Sequence, residues 1–206
     1  MENSARVLSW WQRLIYKPYL ISRRNALLWG AAWLIIASMI GWYFRIVPTS
    51  IVDFTLSGYV PLIWHVVLNV VLWLCSSVVV YLFAVMLNRG VSVVELFGRM
   101  LFAHSPIVVV MLPALIPGGR IAYAEFMNDS IWSLKADLYW ILFTLLFVVV
   151  VLWYFWWGYQ ALMKSIRIDD IATKRDRVKL FYAIALVLSN TVSAWCAELL
   201  FKVIMR

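Results

Sequence analysis

Apolar residues gather along the chain in five long runs, at about 25–44, 61–87, 100–116, 138–162 and 180–203, with polar residues collected between them. Each run has at least the about 17 residues with which an α-helix can cross a bilayer core. The pattern predicts an all-α fold: a polytopic membrane bundle of five transmembrane helices, forming a single membrane domain over 1–206.

Ahead of the first run, Val7, Trp10, Trp11, Leu14 and Ile15 fall on one helical face, while Ser4, Arg6, Gln12, Arg13 and Lys17 occupy the others. That is the pattern of an amphipathic helix lying in the interface. Pro18 interrupts it, and Arg23 and Arg24 mark the membrane edge, so 1–24 reads as a cytoplasmic amphipathic segment. The start lacks the short apolar core and small-residue cleavage site of a secretory signal, and the first span is expected to be retained.

The stretch 91–117, VSVVELFGRMLFAHSPIVVVMLPALIP, breaks the pattern by carrying Glu95, Arg99, His104 and three prolines in an otherwise apolar sequence. Residues 91–97 read as a short interfacial helix before the third span, with Glu95 and Arg99 spaced i, i+4 for pairing. Pro106 must displace the carbonyl of Phe102, and Pro113 that of Val109. Freed carbonyls in lipid need partners, so this span should be kinked and surrounded by its neighbours.

The segment 118–137 is the longest loop on its side, with 121–127 expected as another interfacial helix, and 164–179, with Lys164, Arg167, Lys174, Arg175, Arg177 and Lys179 against Asp169, Asp170 and Asp176, is the strongest charge run. A brief loop with Arg45, Pro48 and Asp53 joins the first two spans, and Asn88, Arg89 and Gly90 close the second. Trp140 at one end of the fourth span, and Trp153, Trp156 and Trp157 at the other, read as aromatic belts at the two interfaces.

Composition strengthens the membrane reading: 65% of the 206 residues are hydrophobic and 14% charged, against about 45–50% and 25% in soluble domains. The net charge of +8 sits at the ends of the apolar runs, where it signals topology and attraction to anionic headgroups. With no basic-aromatic surface motif, nucleic acid is not an expected partner. If the N-terminus is inside, thirteen Lys and Arg residues fall on inner segments and five on outer ones. The positive-inside rule then predicts a multi-pass protein of the inner, cytoplasmic membrane, with the N-terminus cytoplasmic and the C-terminus outside.

Ionisable and polar groups at membrane depth are the candidates for function. His65 and Asn69 share a face of the second span; His104 and Ser105 stand at the Pro106 kink, and Glu95 and Arg99 lie below it. Glu198 and Lys202 read as a self-satisfied pair, and Asn69, Gln160 and Asn190 as helix-to-helix hydrogen bonds. Cys75 and Cys196 read as small buried hydrophobes, since no Cys or His stands at ligand spacing for a metal. No HExxH, GxSxG, P-loop or CxxC occurs, so no catalytic residue, metal or cofactor is assigned. A Ser105–His65 nucleophile pair lacks a third orienting group.

The order of features resembles the Yip1 family of five-span proteins in its prokaryotic branch. Tyr16, Lys17 and Pro18 in a basic amphipathic start, the 91–117 stretch, and WYFWWGYQALMKS at 153–165 carry the resemblance. It implies the same orientation as the charge count. In eukaryotes the family is associated with vesicle trafficking, Rab-type GTPases and membrane shaping; the long N-terminal region and DLYGP-like motif that accompany those roles are missing here. The leading expectation is a non-enzymatic protein that organises lipid or a partner at the cytoplasmic leaflet. Its expected companions are anionic lipid headgroups and a protein partner or second copy of the chain. The alternative is a small-solute or proton-coupled transporter or channel subunit with its site at the broken third span. A polar cavity touching His65, Asn69 and His104 and reaching both sides would favour transport, whereas a dry bundle with an exposed groove at the inner leaflet would favour lipid or partner binding.

Overall fold

The computed structural model describes residues 21–88, 90–115, 138–166 and 171–204. Helices α1 (Arg23–Phe44), α2 (Leu62–Leu87), α3 (Val93–Ala103) with its short continuation α4 (Ile107–Met111), α5 (Leu138–Ile166) and α6 (Ile171–Ile204) make up an all-α bundle. Among the described residues five helical segments are long and apolar enough to cross a membrane, the third being Val93–Leu115 taken whole. The amphipathic helix expected at 4–17, the helix at 121–127, Arg89 and the charges at 167–170 lie outside the described residues.

Helix ends follow the local chemistry. Ser22 caps α1 by accepting from the Asn25 N–H at 3.3 Å, as a serine at this position does. Pro61 opens α2, and Asn88 closes it. Asn88 then reaches across to donate to the Ile166 carbonyl at 2.5 Å, satisfying one of the carbonyls left open at the end of α5. At the far end of α1, Arg45 adopts a left-handed conformation with φ 59° and bonds back to Gly41 and Trp42.

The loop after α1 differs from the sequence reading. Residues Ile46–Pro48 (β1) and Phe54–Leu56 (β2) pair as an antiparallel hairpin, and Ile46, Val47, Ile51 and Phe54 are buried in the bundle. Four buried apolar side chains in eleven residues give this short loop enough area to fold inward over the helix ends.

The third span occupies the centre. In its most apolar window 61% of residues are buried inside the bundle, against 22–28% for the other four. Helix α3 packs against α1, α2 and α5, while α6 packs chiefly on α2. The expected division between an interfacial helix at 91–97 and a span from 100 does not occur: α3 runs unbroken from Val93 to Ala103. The pairing of Glu95 with Arg99 neutralises both charges, so the helix enters the bundle without a break.

The break comes at His104–Pro106 and again at Pro113, where the prolines placed it. Phe102, deprived of the Pro106 N–H, instead accepts from the Ser105 N–H at 3.0 Å and the Ser105 hydroxyl at 2.6 Å. Val109, deprived by Pro113, accepts from the Leu112 N–H as the chain tightens into a 3-10 turn over Leu112–Leu115. Both kinks therefore satisfy their own backbone, as lipid requires.

Close approach depends on small residues. A Cβ at Gly30 would stand 2.7 Å from the Phe102 nitrogen, so α1 and α3 cross backbone to backbone there. On α6, Ala185, Ser189, Ser193 and Ala197 form a buried stripe at four-residue spacing. Ala185 packs in one cluster with Val80 and Ala84 of α2, the small-residue contact typical of membrane helices. The aromatic belts are corrected in part. Trp140 and Trp157 are buried, and Trp157 stacks on Phe102 with centroids 4.7 Å apart; Trp156 is the one of the 153–157 trio that is exposed.

Candidate functional site at the break in the third span

The site is built where α3 stops. Burial of Met100 to Ala103 fixes the end of α3 against α1, α2 and α5, and the Pro106 turn leaves the His104 ring pointing between α2 and α5. Its Nδ1 is 2.8 Å from the Met100 carbonyl, and its Nε2 is 3.3 Å from the Ser76 hydroxyl of α2. The Tyr154 ring of α5 closes the other side edge-on, with centroids 5.0 Å apart.

Proton counting defines two states of this network. A carbonyl only accepts, so Nδ1 carries a hydrogen and donates it to Met100. The Ser76 hydroxyl has one hydrogen and two acceptors, Nε2 of His104 and the Trp73 carbonyl at 2.9 Å. With a neutral ring, Ser76 donates to Nε2. With Nε2 protonated, the ring donates to Ser76 and Ser76 donates to Trp73. The two arrangements differ by one proton and one hydroxyl rotation, with no change of backbone.

Beside this network is a cavity of about 40 Å³ lined by Asn69, His104, Ser105, Ser50, Trp33 and Trp73, among others. That volume admits a few waters, since one water needs about 10–15 Å³. Ser50, from the tip of the buried hairpin, forms part of the roof; its hydroxyl is buried without a hydrogen bond.

The structure separates the remaining sequence candidates. Asn69 lines the cavity and bridges two helices, donating to the Ser38 hydroxyl of α1 at 3.1 Å and to the His65 carbonyl at 2.9 Å. His65 stays outside the cavity. Its ring packs against Gly41, and the Val60 carbonyl faces it outside hydrogen-bond geometry. Ser105 and His65 therefore form no pair, because the Ser105 hydroxyl is committed to Phe102. Pro106 acts by its missing N–H and is not among the residues that line this cavity.

Glu95 and Arg99 form the expected pair at 3.2 Å, but inside the bundle, with side chains 13% and 8% exposed. Arg99 also donates to the Ile21 carbonyl at 3.4 Å, tying the start of α1 to α3. Glu198 and Lys202 pair in the open at 2.8 Å, as the spacing predicted. Among the described residues no group of His, Cys, Asp and Glu could hold a metal ion.

Sequence reasoning missed Ser76, Tyr154 and Trp73. A tyrosine and a serine far from the ends of their spans were available signals. It also treated the two cysteines separately, whereas Cys75 of α2 and Cys196 of α6 are free thiols that interact across the α2–α6 contact. No protein-family model matches the chain, and no curated protein or solved structure is significantly similar to it.

Proposed function

We propose that this is a non-enzymatic membrane protein that passes protons, with its site at the joint of the broken third span. The observation that carries the reading is the ring of His104, held by Met100 and Ser76 so that one proton can be gained or lost without moving the backbone. An ionisable group deep within a span is the usual mark of such a path. The size of the cavity favours a proton over a larger solute, because it accommodates only a few waters.

In this reading the end carrying Arg23, Asn88 and Ile166 faces the cytoplasm of a cell with an inner membrane, supported by the thirteen-to-five division of basic residues. The hairpin end and the C-terminus then face outside. The Yip1-like order of features belongs to the same proposal and supports that orientation.

The test is proton movement into vesicles that hold the purified protein and a trapped pH dye, driven by a potassium diffusion potential. We expect a flux above that of protein-free vesicles, lost in both His104→Ala and His104→Phe. A flux no greater than in protein-free vesicles sinks the reading.

A second reading, organisation of anionic lipid or a partner at the cytoplasmic leaflet, is supported by a different observation. Arg23, Arg24, Lys164, Arg177 and Lys179 are exposed at the Arg23 end, although Glu95 and Arg99 are turned inward. Retention of phosphatidylglycerol through purification, lost when Arg23 and Arg24 become Glu, would favour it; equal retention by that variant would count against it.

A further inference from the structure

Between the His104 site and the Arg23 end lies a second set of polar groups that no hydrogen bond explains. The hydroxyls of Tyr154, Tyr159, Tyr182 and Ser77 are buried without a partner. An apolar interior disfavours each of them, and a phenylalanine would fill the same space as a tyrosine without that cost.

These hydroxyls are not scattered. Tyr154 borders His104, and its own hydroxyl faces Ser76 outside hydrogen-bond geometry. One turn further along α5, Gly158 has no side chain, and the hydroxyl of Tyr182 from α6 lies against it where a methyl group would stand. Tyr182 in turn borders Tyr159, with ring centroids 5.8 Å apart. Along α5, Tyr154 stands about 18 Å from the helix end at Ile166 and Tyr159 about 10 Å, at about 1.5 Å per residue. The row therefore descends from the middle of the bundle toward the Arg23 end.

We propose that Tyr154, Tyr182 and Tyr159 hold a file of internal waters that carries protons between His104 and the Arg23 end of the bundle. This rests on the proton-passing reading and names its inner half. A bound water gives each such hydroxyl the partner it lacks, bridging polar groups too far apart to bond directly. A proton entering at one end of such a file moves by successive exchange of O–H bonds: every oxygen accepts one hydrogen and gives up another, and no group is consumed. The surroundings do not trap the charge. Helices α1 and α2 bring no carboxylate, lysine or arginine into the middle of the bundle. Tyr81 of α2 packs on Phe97, while on α3 Arg99 donates to Glu95 and to the Ile21 carbonyl. His104 borders the row at Tyr154, and the thiols of Cys75 and Cys196 face each other across the α2–α6 contact.

Two measurements on the intact protein in vesicles test it. Brief X-ray radiolysis labels buried side chains that touch bound water. Tyr154 and Tyr182 should be oxidised far more than Met111, which is equally buried but stands outside the row. Labelling of the two tyrosines no greater than that of Met111 overturns the file. In the flux assay, Tyr154→Phe and Tyr182→Phe should each slow proton entry at least about tenfold, with unchanged melting temperature. Wild-type flux in both variants overturns the path while leaving the His104 reading intact; no flux in the unsubstituted protein removes both, and the labelling then reports on the waters alone.

Discussion

Gly30 of α1 lies directly on the backbone of Phe102 in α3, close enough that a methyl group at Gly30 would meet the Phe102 nitrogen at 2.7 Å. Phe102 is also the residue whose carbonyl Pro106 displaces and Ser105 recovers. The crossing point of the two helices and the break that shapes the candidate site are thus one region. What fixes Gly30 fixes His104 two residues beyond Phe102.

Gly30→Ala should therefore be costly. The clash is with backbone, which cannot rotate away, and overpacking of this kind costs about 1–3 kcal/mol. Gly98→Ala is the matched control, because its added methyl would meet Leu27 side-chain atoms at an ordinary 3.6–3.7 Å. Thermal unfolding in detergent should show a lower midpoint for the first and no loss for the second. Equal midpoints would refute the close crossing.

Arg45 offers a change in the other direction. Its φ of 59° places an L-residue in the left-handed region at the end of α1, at a cost of about 1 kcal/mol that glycine does not bear. Arg45→Gly should raise stability by up to that amount in the same unfolding assay.

Much of this architecture was legible in the chain, and the illegible parts share a cause. The five spans and the two proline breaks follow from length and from missing N–H groups, which act locally. Which face of each helix is buried does not follow, because in lipid both faces of a span are apolar and hydrophobic periodicity loses its meaning. Trp157 was therefore read as belt when it is core. The information lay in residue size: Ala26, Gly30 and Gly41 on α1, and the four-residue stripe on α6, mark the packed faces. The hairpin after α1 was hidden because burial of Ile46 and Phe54 depends on where the helix ends stand, a tertiary fact. Of the candidate site, His104, Ser105 and Asn69 were visible as polar groups at depth, but Ser76 and Tyr154 joined them only through the packing of α2 and α5 on α3.

The α2–α6 contact gives a covalent test. Cys75 and Cys196 face each other across it as free thiols, so mild oxidation with copper phenanthroline should link them. If a protease site is placed in the 118–137 segment, cleaved protein should stay joined on a non-reducing gel and part on reduction. Cys75→Ser should abolish the link. Separation of the oxidised halves would show that α2 and α6 are not neighbours at this level.

The Glu95–Arg99 pair tests whether the third span enters the bundle charged but neutralised. A paired charge at 8% exposure loses little relative to an apolar pair of equal volume, whereas a lone buried charge costs roughly 3–5 kcal/mol. Glu95→Leu, which removes the carboxylate that faces the guanidinium, and Arg99→Leu, which removes the guanidinium that faces the carboxylate, should each lower stability by up to that order. The double change to leucine should recover much of the loss, although the bond from Arg99 to the Ile21 carbonyl goes with it. Unfolding in mixed micelles of rising dodecyl sulfate content reads all three variants. If the single losses simply add in the double variant, the two side chains are not a buried pair, and the interfacial helix expected from the sequence is the better description of 91–97.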